Sequence, residues 1–178
     1  MAALPTADDL RKLPLRALLA YTSRSAQRVQ ALYEPDKNSP AAGRCTAAVD
    51  AAILISLNFA AGKDIDPAQA SEAEEAVIEA VMQARNAHQP NRGSALAANA
   101  TNMALAARNA STRAIDANKA VLAATTAAAA AEAADPSIKH ALLHDYKILR
   151  RLGLGGFPEL GKPVDPGPKG PLGPLTGA

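Results

Sequence analysis

Small apolar residues recur along residues 94–134 at alternating steps of four and three, which is the 3.5-residue period of a helix seam. Alanine has the highest helix propensity, and its small side chain lets two helix axes approach to about 8 Å. The seam therefore predicts close helix–helix packing. Its eleven positions are all apolar, and eight of them are alanine: Leu96, Ala100, Met103, Ala107, Ala110, Ala114, Ala117, Val121, Ala124, Ala128 and Ala131.

The alanine segment is long for a single helix of a small bundle. Its 41 residues would span about 60 Å as one helix, whereas neighbours of about 20 residues span about 30 Å. Residues 108–112 favour a break, because Asn, Ser and Thr side chains compete for backbone hydrogen bonds. We expect two antiparallel helices, although the unbroken seam favours one. Leu105, Ile115 and Leu122 lie off the seam and predict a second packing neighbour.

Composition favours helices throughout the chain. The sequence has 44 alanines, two Phe, three Tyr and no Trp, and β-branched and aromatic residues are too sparse for a sheet. The prediction is an all-α, alanine-rich bundle of five or six helices over residues 1–152. Helix starts are indicated by caps and prolines at Thr6 with Asp9, Pro14, Ser39 with Pro40, Asp66 with Pro67, and Asp135 with Pro136.

Two helices of the first half have different expected positions. The helix after Pro14 carries an apolar stripe, with Arg16, Arg24 and Arg28 off it. The run over residues 46–61 is the most apolar of the chain, and we expect it at the centre of the bundle. It contains Asp50 and is shorter than the ~20 residues that a membrane span needs.

The last 26 residues, 153–178, contain eight glycines and six prolines and predict an extended segment. Spaced apolar residues favour a strap packed on the bundle. The candidates for binding a partner instead are Phe157, Leu160, Leu172 and Leu175. Proline pairs three apart allow docking in an aromatic groove, whereas three Gly-x-y triplets are too few for a triple helix. The spaced apolar residues are Phe157, Leu160, Val164, Leu172 and Leu175.

Charge and cysteine content limit the classes of function. The net charge is +2 with acids and bases mixed, which leaves no electrostatic footprint for nucleic acid. The single cysteine, Cys45, excludes an internal disulfide and a cysteine-built zinc site, and fits a cytoplasmic protein. We expect Cys45 to be a buried small hydrophobe. The first residues lack a basic region followed by an apolar core, so no signal peptide is predicted.

Two histidines supply the best metal candidates. His140 and His144 are four residues apart on a predicted helix, with Asp145 adjacent, and His88 is the third histidine. The zinc-protease pattern fails, because Ala141 stands where it needs Glu. Surface histidines are the simpler expectation. The basic residues near them could form a patch for nucleic acid, but a solvated face is the expected explanation: Lys139, Lys147, Arg150 and Arg151, with Arg24 and Arg28.

Three stretches resemble a loose group of uncharacterised alanine-rich helical proteins of bacteria. They are residues 13–30, the polyalanine middle, and the closing Phe-Pro-Glu-Leu-Gly-Lys-Pro-Val-Asp-Pro of residues 157–166 with Gly-Pro-Leu-Gly-Pro-Leu of residues 170–175. An aromatic often follows the last Leu in the group, where this chain has Thr176. A fainter similarity links the first helices and the alanine middle to immunity proteins of bacterial toxin systems. The resemblance implies a helical fold and brings no catalytic residues.

The sequence favours a non-catalytic protein-binding module, most specifically an immunity-like or regulatory partner in a bacterial conflict system. It contains no paired acid and base and no cofactor loop, so neither an enzyme nor a cofactor is predicted. A structural or self-assembling protein is the first alternative, built through alanine faces. A metal- or nucleic-acid-binding helical protein is the second.

Overall fold

A computed structural model of the chain describes residues 3–35, 39–86, 92–111 and 117–175. These residues contain no strand and seven α-helices, six of them longer than one turn, so the all-α prediction is confirmed. Short 3₁₀ turns follow α2, at Gln30–Leu32, and precede α7, at Pro136–Ile138. The helices are α1 (Ala7–Leu10), α2 (Leu15–Val29), α3 (Ala42–Ala60), α4 (Pro67–Asn86), α5 (Arg92–Ser111), α6 (Ala117–Ala134) and α7 (Lys139–Arg151).

The central helix of the bundle is α2. Twelve of its 15 residues are buried, and it packs against α3, α5, α6 and α7. The small polar residues of α2 can be buried because their hydroxyls bond to the preceding turn: Ser23 donates to the Leu19 carbonyl at 2.7 Å, and Ser25 to that of Tyr21 at 2.8 Å. An apolar stripe alone therefore underestimated how much of α2 lies in the core.

The expectation that α3 lies at the centre is wrong. Only eight of its 19 residues are buried, and Leu54 is 57% exposed. One face of α3 packs against α2, α4 and α5, and the other face is open because no described element covers it. By length and composition alone α3 could cross a membrane, with a mean hydropathy of 1.2, which is a weak signal for a helix whose buried face belongs to the core.

The alanine segment forms two helices, α5 and α6, which make the most extensive contact in the fold. Their connection is too short for two parallel neighbours, so they run antiparallel. α5 ends at Ser111, inside the stretch 108–112 where the break was expected. Seam residues Ala100, Ala117, Val121, Ala124, Ala128 and Ala131 are buried.

Some predicted positions of the alanine segment differ or cannot be compared. Leu105 is buried, but Leu122 is 67% exposed, so the prediction of a second packing neighbour at Leu122 is wrong. Ala114 and Ile115 lie outside the described residues, as do the side chains of Met103, Ala107 and Ala110.

Several helix ends follow their sequence signals. The capping box of Thr6 and Asp9 opens α1, and the Asp135 side chain accepts from the Ser137 N–H before α7. The start of α2 differs, because Pro14 precedes the helix without a side-chain cap. The N–H groups of Leu15 and Arg16 donate instead to the carbonyls of Glu159 and Leu160, both at 2.9 Å.

Residues 153–175 run along the bundle and complete two helix ends. Besides the bonds to α2, the Val164 N–H donates to the Ala60 carbonyl at the end of α3, at 2.8 Å. Helix termini carry backbone groups without intrahelical partners, and here an extended segment supplies the missing partners. We call residues 153–175 the tail segment.

Candidate functional site

The deepest charges among the described residues belong to Arg24 of α2 and Asp145 of α7, whose side chains are each 1% exposed. Arg24 Nε donates to Asp145 Oδ2 at 2.9 Å. Arg28, one turn further along α2, places Nη1 2.7 Å from the same oxygen, and its side chain is 3% exposed. Two guanidinium groups share one carboxylate, so this Arg24–Asp145–Arg28 cluster carries one excess positive charge.

Arg24 also holds the tail segment. Its Nη1 donates to the carbonyls of Pro166 and Gly173, both at 2.9 Å. Its Nη2 donates to those of Leu172 at 3.2 Å and Pro174 at 3.3 Å. A planar guanidinium presents five N–H donors in a fixed fork, and a lysine could not satisfy so many acceptors at once. One arginine thus joins α2, α7 and the tail segment.

The expected solvated basic face is therefore wrong for Arg24 and Arg28, which lie inside the fold. The other members of that group are at or near the surface. Lys139 pairs with Glu132 at 2.6 Å, and Arg150 donates to the Lys12 carbonyl at 3.1 Å. Because Arg24 and Arg28 are buried, the surface has two fewer basic residues with which to bind nucleic acid.

A cleft of about 530 Å³ opens between α7 and the tail segment. Its floor is the Arg24–Asp145–Arg28 cluster, and its walls include Ile148 and the residues 171–174 of the tail segment. His140 and His144 lie on its exposed rim. The structure thus brings both histidines to one cleft together with two buried arginines.

The contacts of Asp145 in this cluster count against metal binding by His140 and His144. Asp145, the carboxylate next to His144, is committed to Arg24 and Arg28, and His88 lies outside the described residues. Over the described ranges, no three side chains of His, Cys, Asp or Glu come together as metal ligands. The positive charge of the two arginines would also repel a cation placed beside the histidines.

Tyr21 lies close to this cluster on α2 and is fully buried. Its hydroxyl has no hydrogen-bond partner among the residues described. Burial, with a further contribution from the negative charge of Asp145, raises the pKa of Tyr21 above its usual range. A buried hydroxyl without a partner is a destabilising feature of the core.

A second surface lies on α3 and α4. A shallow groove of about 360 Å³ has an apolar floor that includes Ala51, Leu54 and Ile55, and acidic Asp64 and Glu72 also line it. A larger cleft of about 730 Å³ lies between α3 and the tail segment and includes Leu54, Leu57 and Leu175. Leu54 and Asn58 line both cavities. We call this continuous area the Leu54 surface.

The tail residues proposed from sequence are divided between the core and the surface. Val164 and Leu172 are buried against the bundle, and Phe157 is half-buried. Leu160 and Leu175 are exposed at 41% and 36%, and only Leu175 lines the Leu54 surface. Leu172 therefore packs in the core and is not available to a partner, whereas Leu175 is accessible to one.

Cys45 is buried in α3, as a small hydrophobe would be. Burial, and to a lesser degree the negative charge of Glu79, raises the pKa of the Cys45 thiol above its usual range. A high pKa lowers the thiolate fraction at neutral pH, and the thiolate is the nucleophile. This environment suits packing rather than nucleophilic chemistry.

Sequence reasoning missed the ion cluster. Arg24 and Asp145 are 121 residues apart, and each lies on a helix whose polar face was expected to be in water. One available signal was Arg24 itself, which stands between Ser23 and Ser25 on a helix otherwise rich in small and apolar residues. The tail prolines and glycines gave no indication that their carbonyls converge on one guanidinium.

A scan against protein families, a search of curated proteins and a search of solved structures each found no match to this chain. The resemblance to alanine-rich bacterial proteins and to immunity proteins therefore stays a prediction. The class that the fold defines is an all-α bundle with a buried ion cluster and an extended tail segment.

Proposed function

We propose that this chain is a non-catalytic protein-binding module that uses the Leu54 surface to bind a partner. The observation that carries the proposal is Leu54, a leucine 57% exposed at the junction of two apolar-lined cavities. Large apolar side chains grouped on an open helix face are typical of interaction sites. Ile78 and Met82 of α4 are exposed at 43% and 57% and extend the apolar character of α4.

The charge of the surroundings favours a particular partner. Asp64 and Glu72 line the smaller groove, Lys63 and Asp165 line the larger cleft, and α4 contains four glutamates against one arginine within its bounds. Charges of opposite sign on two proteins speed association and fix their orientation. The expected partner is a protein with an amphipathic helix whose apolar face is flanked by lysine or arginine.

An immunity-like or regulatory role in a bacterial conflict system is the most specific form of this proposal, and it rests on the sequence resemblance. The single reduced cysteine supports a cytoplasmic site of action. Self-assembly through alanine faces has less support, because the described seam residues of α5 and α6 pack within the chain. Two copies of the acidic groove would also repel each other.

The test compares Leu54→Asp with Leu122→Asp, the same substitution at a leucine 67% exposed on α6. Affinity capture from the native cell with the unmodified chain identifies the partner, and calorimetry with the purified partner measures the affinity of each variant. We expect Leu54→Asp to weaken binding at least about 10-fold, as truncation of a central interface residue does, and Leu122→Asp to change it less than about threefold.

Equal affinities for the two variants would contradict the proposal. Light scattering on the purified chain examines the alternative. A stable oligomer that Leu54→Asp dissociates would assign the surface to a second copy of the chain and overturn the proposal of a heterologous partner.

A further inference from the structure

The cleft between α7 and the tail segment has an uncommon balance of charge. Its lining contains Arg24 and Arg28 but only one carboxylate, that of Asp145. The floor of the cleft therefore has one positive charge more than its own acidic group can neutralise.

The two arginines differ in how completely they are used. Arg24 makes six hydrogen bonds, two to Asp145 and four to carbonyls of the tail segment. Arg28 uses Nη1 for Asp145 and, at 3.4 Å, for the Arg24 carbonyl. Its Nε is buried and has no hydrogen-bond partner among the described residues. Arg28 is thus a nearly buried guanidinium, lining a cavity, whose donors are only partly used.

A buried donor and a buried excess charge are both unfavourable until an acceptor of opposite charge arrives. Carboxylates accept hydrogen bonds from guanidinium groups in a planar, two-pronged geometry. The walls beside Arg28 are apolar, formed by Ala141, Ile148 and tail residues that include Pro174. The volume of about 530 Å³ is within the range of small-molecule sites.

We infer that this cleft binds a monocarboxylate with a small apolar body, its carboxylate on Arg28 and its body between α7 and the tail segment. One negative charge matches the one excess positive charge of the cluster. The doubly charged form of phosphate would exceed that charge. The cleft does not include Leu54, so this inference is independent of the proposed protein-binding surface.

The experiment titrates the full chain with sodium benzoate at pH 7 and follows the ring C–H resonances of His140 and His144 by NMR. The chain has three histidines, and single His→Gln variants assign their resonances. Sodium chloride and inorganic phosphate at matched ionic strength are the comparison ligands. We expect saturable shifts with benzoate and a Kd in the millimolar range, as is usual for a ligand of this size.

A blocking variant supplies the matched control. Ala141→Phe fills the cleft without removing a charge, and Ala133→Phe adds the same ring at an exposed position of α6. We expect Ala141→Phe to weaken benzoate binding at least tenfold and Ala133→Phe to leave it unchanged. If circular dichroism shows Ala141→Phe to be unfolded, Ala141→Leu replaces it, with the same expected direction.

Three results would overturn the inference. Shifts that rise linearly and match those from chloride would show no site, and equal binding by the blocked and control variants would place benzoate elsewhere. Tighter binding of phosphate than of benzoate at pH 7 would contradict the assignment to a monocarboxylate.

Discussion

Replacing Arg24 by methionine tests the central claim about this fold, that one guanidinium fastens the tail segment to the bundle. Methionine keeps most of the length of the side chain and removes all six hydrogen bonds that Arg24 makes. Asp145 keeps Arg28 as its partner, but four carbonyls of the tail segment lose a donor.

The magnitude follows from the hydrogen bonds to the tail segment. Because Asp145 stays paired with Arg28, the substitution leaves no unpaired buried carboxylate, and the lost bonds to the tail carbonyls carry the cost. Individual hydrogen bonds to a charged group contribute about 1.5–3 kcal/mol each, but they do not add fully, because a released tail regains hydrogen bonds to water. We therefore expect the free energy of unfolding to fall by about 3–5 kcal/mol, and the Tm by about 6–20 °C.

Urea denaturation followed by circular dichroism measures the loss of stability, and tryptic cleavage after Lys169 reports release of the tail segment. Cleavage should become at least tenfold faster in Arg24→Met, because local opening of the tail loses the bonds of Arg24. The matched control is Arg150→Met, which removes an exposed arginine with one bond to Lys12 and should cost less than about 1 kcal/mol. A loss below about 1 kcal/mol in Arg24→Met, with cleavage unchanged, would refute the reasoning.

Four further predictions concern single residues. Tyr21→Phe should stabilise the chain by about 1 kcal/mol, because it removes a buried hydroxyl without a partner. Burial raises the pKa of Tyr21, so the native chain loses stability as the pH rises above about 10. The variant should therefore lose less stability than the native chain in urea titrations at pH 11. The Cys45 thiol should react more slowly with iodoacetamide at pH 8 than free cysteine does, with a rate that keeps rising above pH 9, since its pKa is raised; a rate equal to that of free cysteine would contradict its burial. Gly161→Ala should cost at least about 1 kcal/mol, because Gly161 has φ +76° and an added Cβ would lie 2.5 Å from Pro14 Cβ. Gly43→Ala, in open space on α3, should instead stabilise by about 0.5–1 kcal/mol in the same denaturation assay.

The helical class and several helix boundaries could be read from local sequence. Thr6 with Asp9 begins α1 and Asp66 with Pro67 begins α4 where the structure has them. Asp135 with Pro136 instead begins a 3₁₀ turn, and α7 starts at Lys139. The alanine period correctly indicated a close helix pair, because propensity and a 3.5-residue repeat act over a few turns of the same chain. Patterns of this kind depend on residues that are neighbours in sequence.

Less of the candidate sites could be predicted from the sequence. His140 and His144 were singled out as a pair, but nothing local indicated that Arg28 would meet them in one cleft. The Leu54 surface was missed because an apolar helix such as α3 was expected to be covered on all sides. Its exposure depends on how many neighbours the other helices leave for it.

The sequence by itself determined that this chain is helical, where some of its helices begin, and that the alanine segment contributes small buried residues to the core. Only the tertiary structure decided that α2 is the central helix and that the Arg24 side chain lies in the core. The physical reason is that a buried charge needs partners to offset its lost hydration. Those partners, Asp145 and the tail carbonyls, lie 121 to 150 residues away along the chain, and folding alone brings them to one guanidinium.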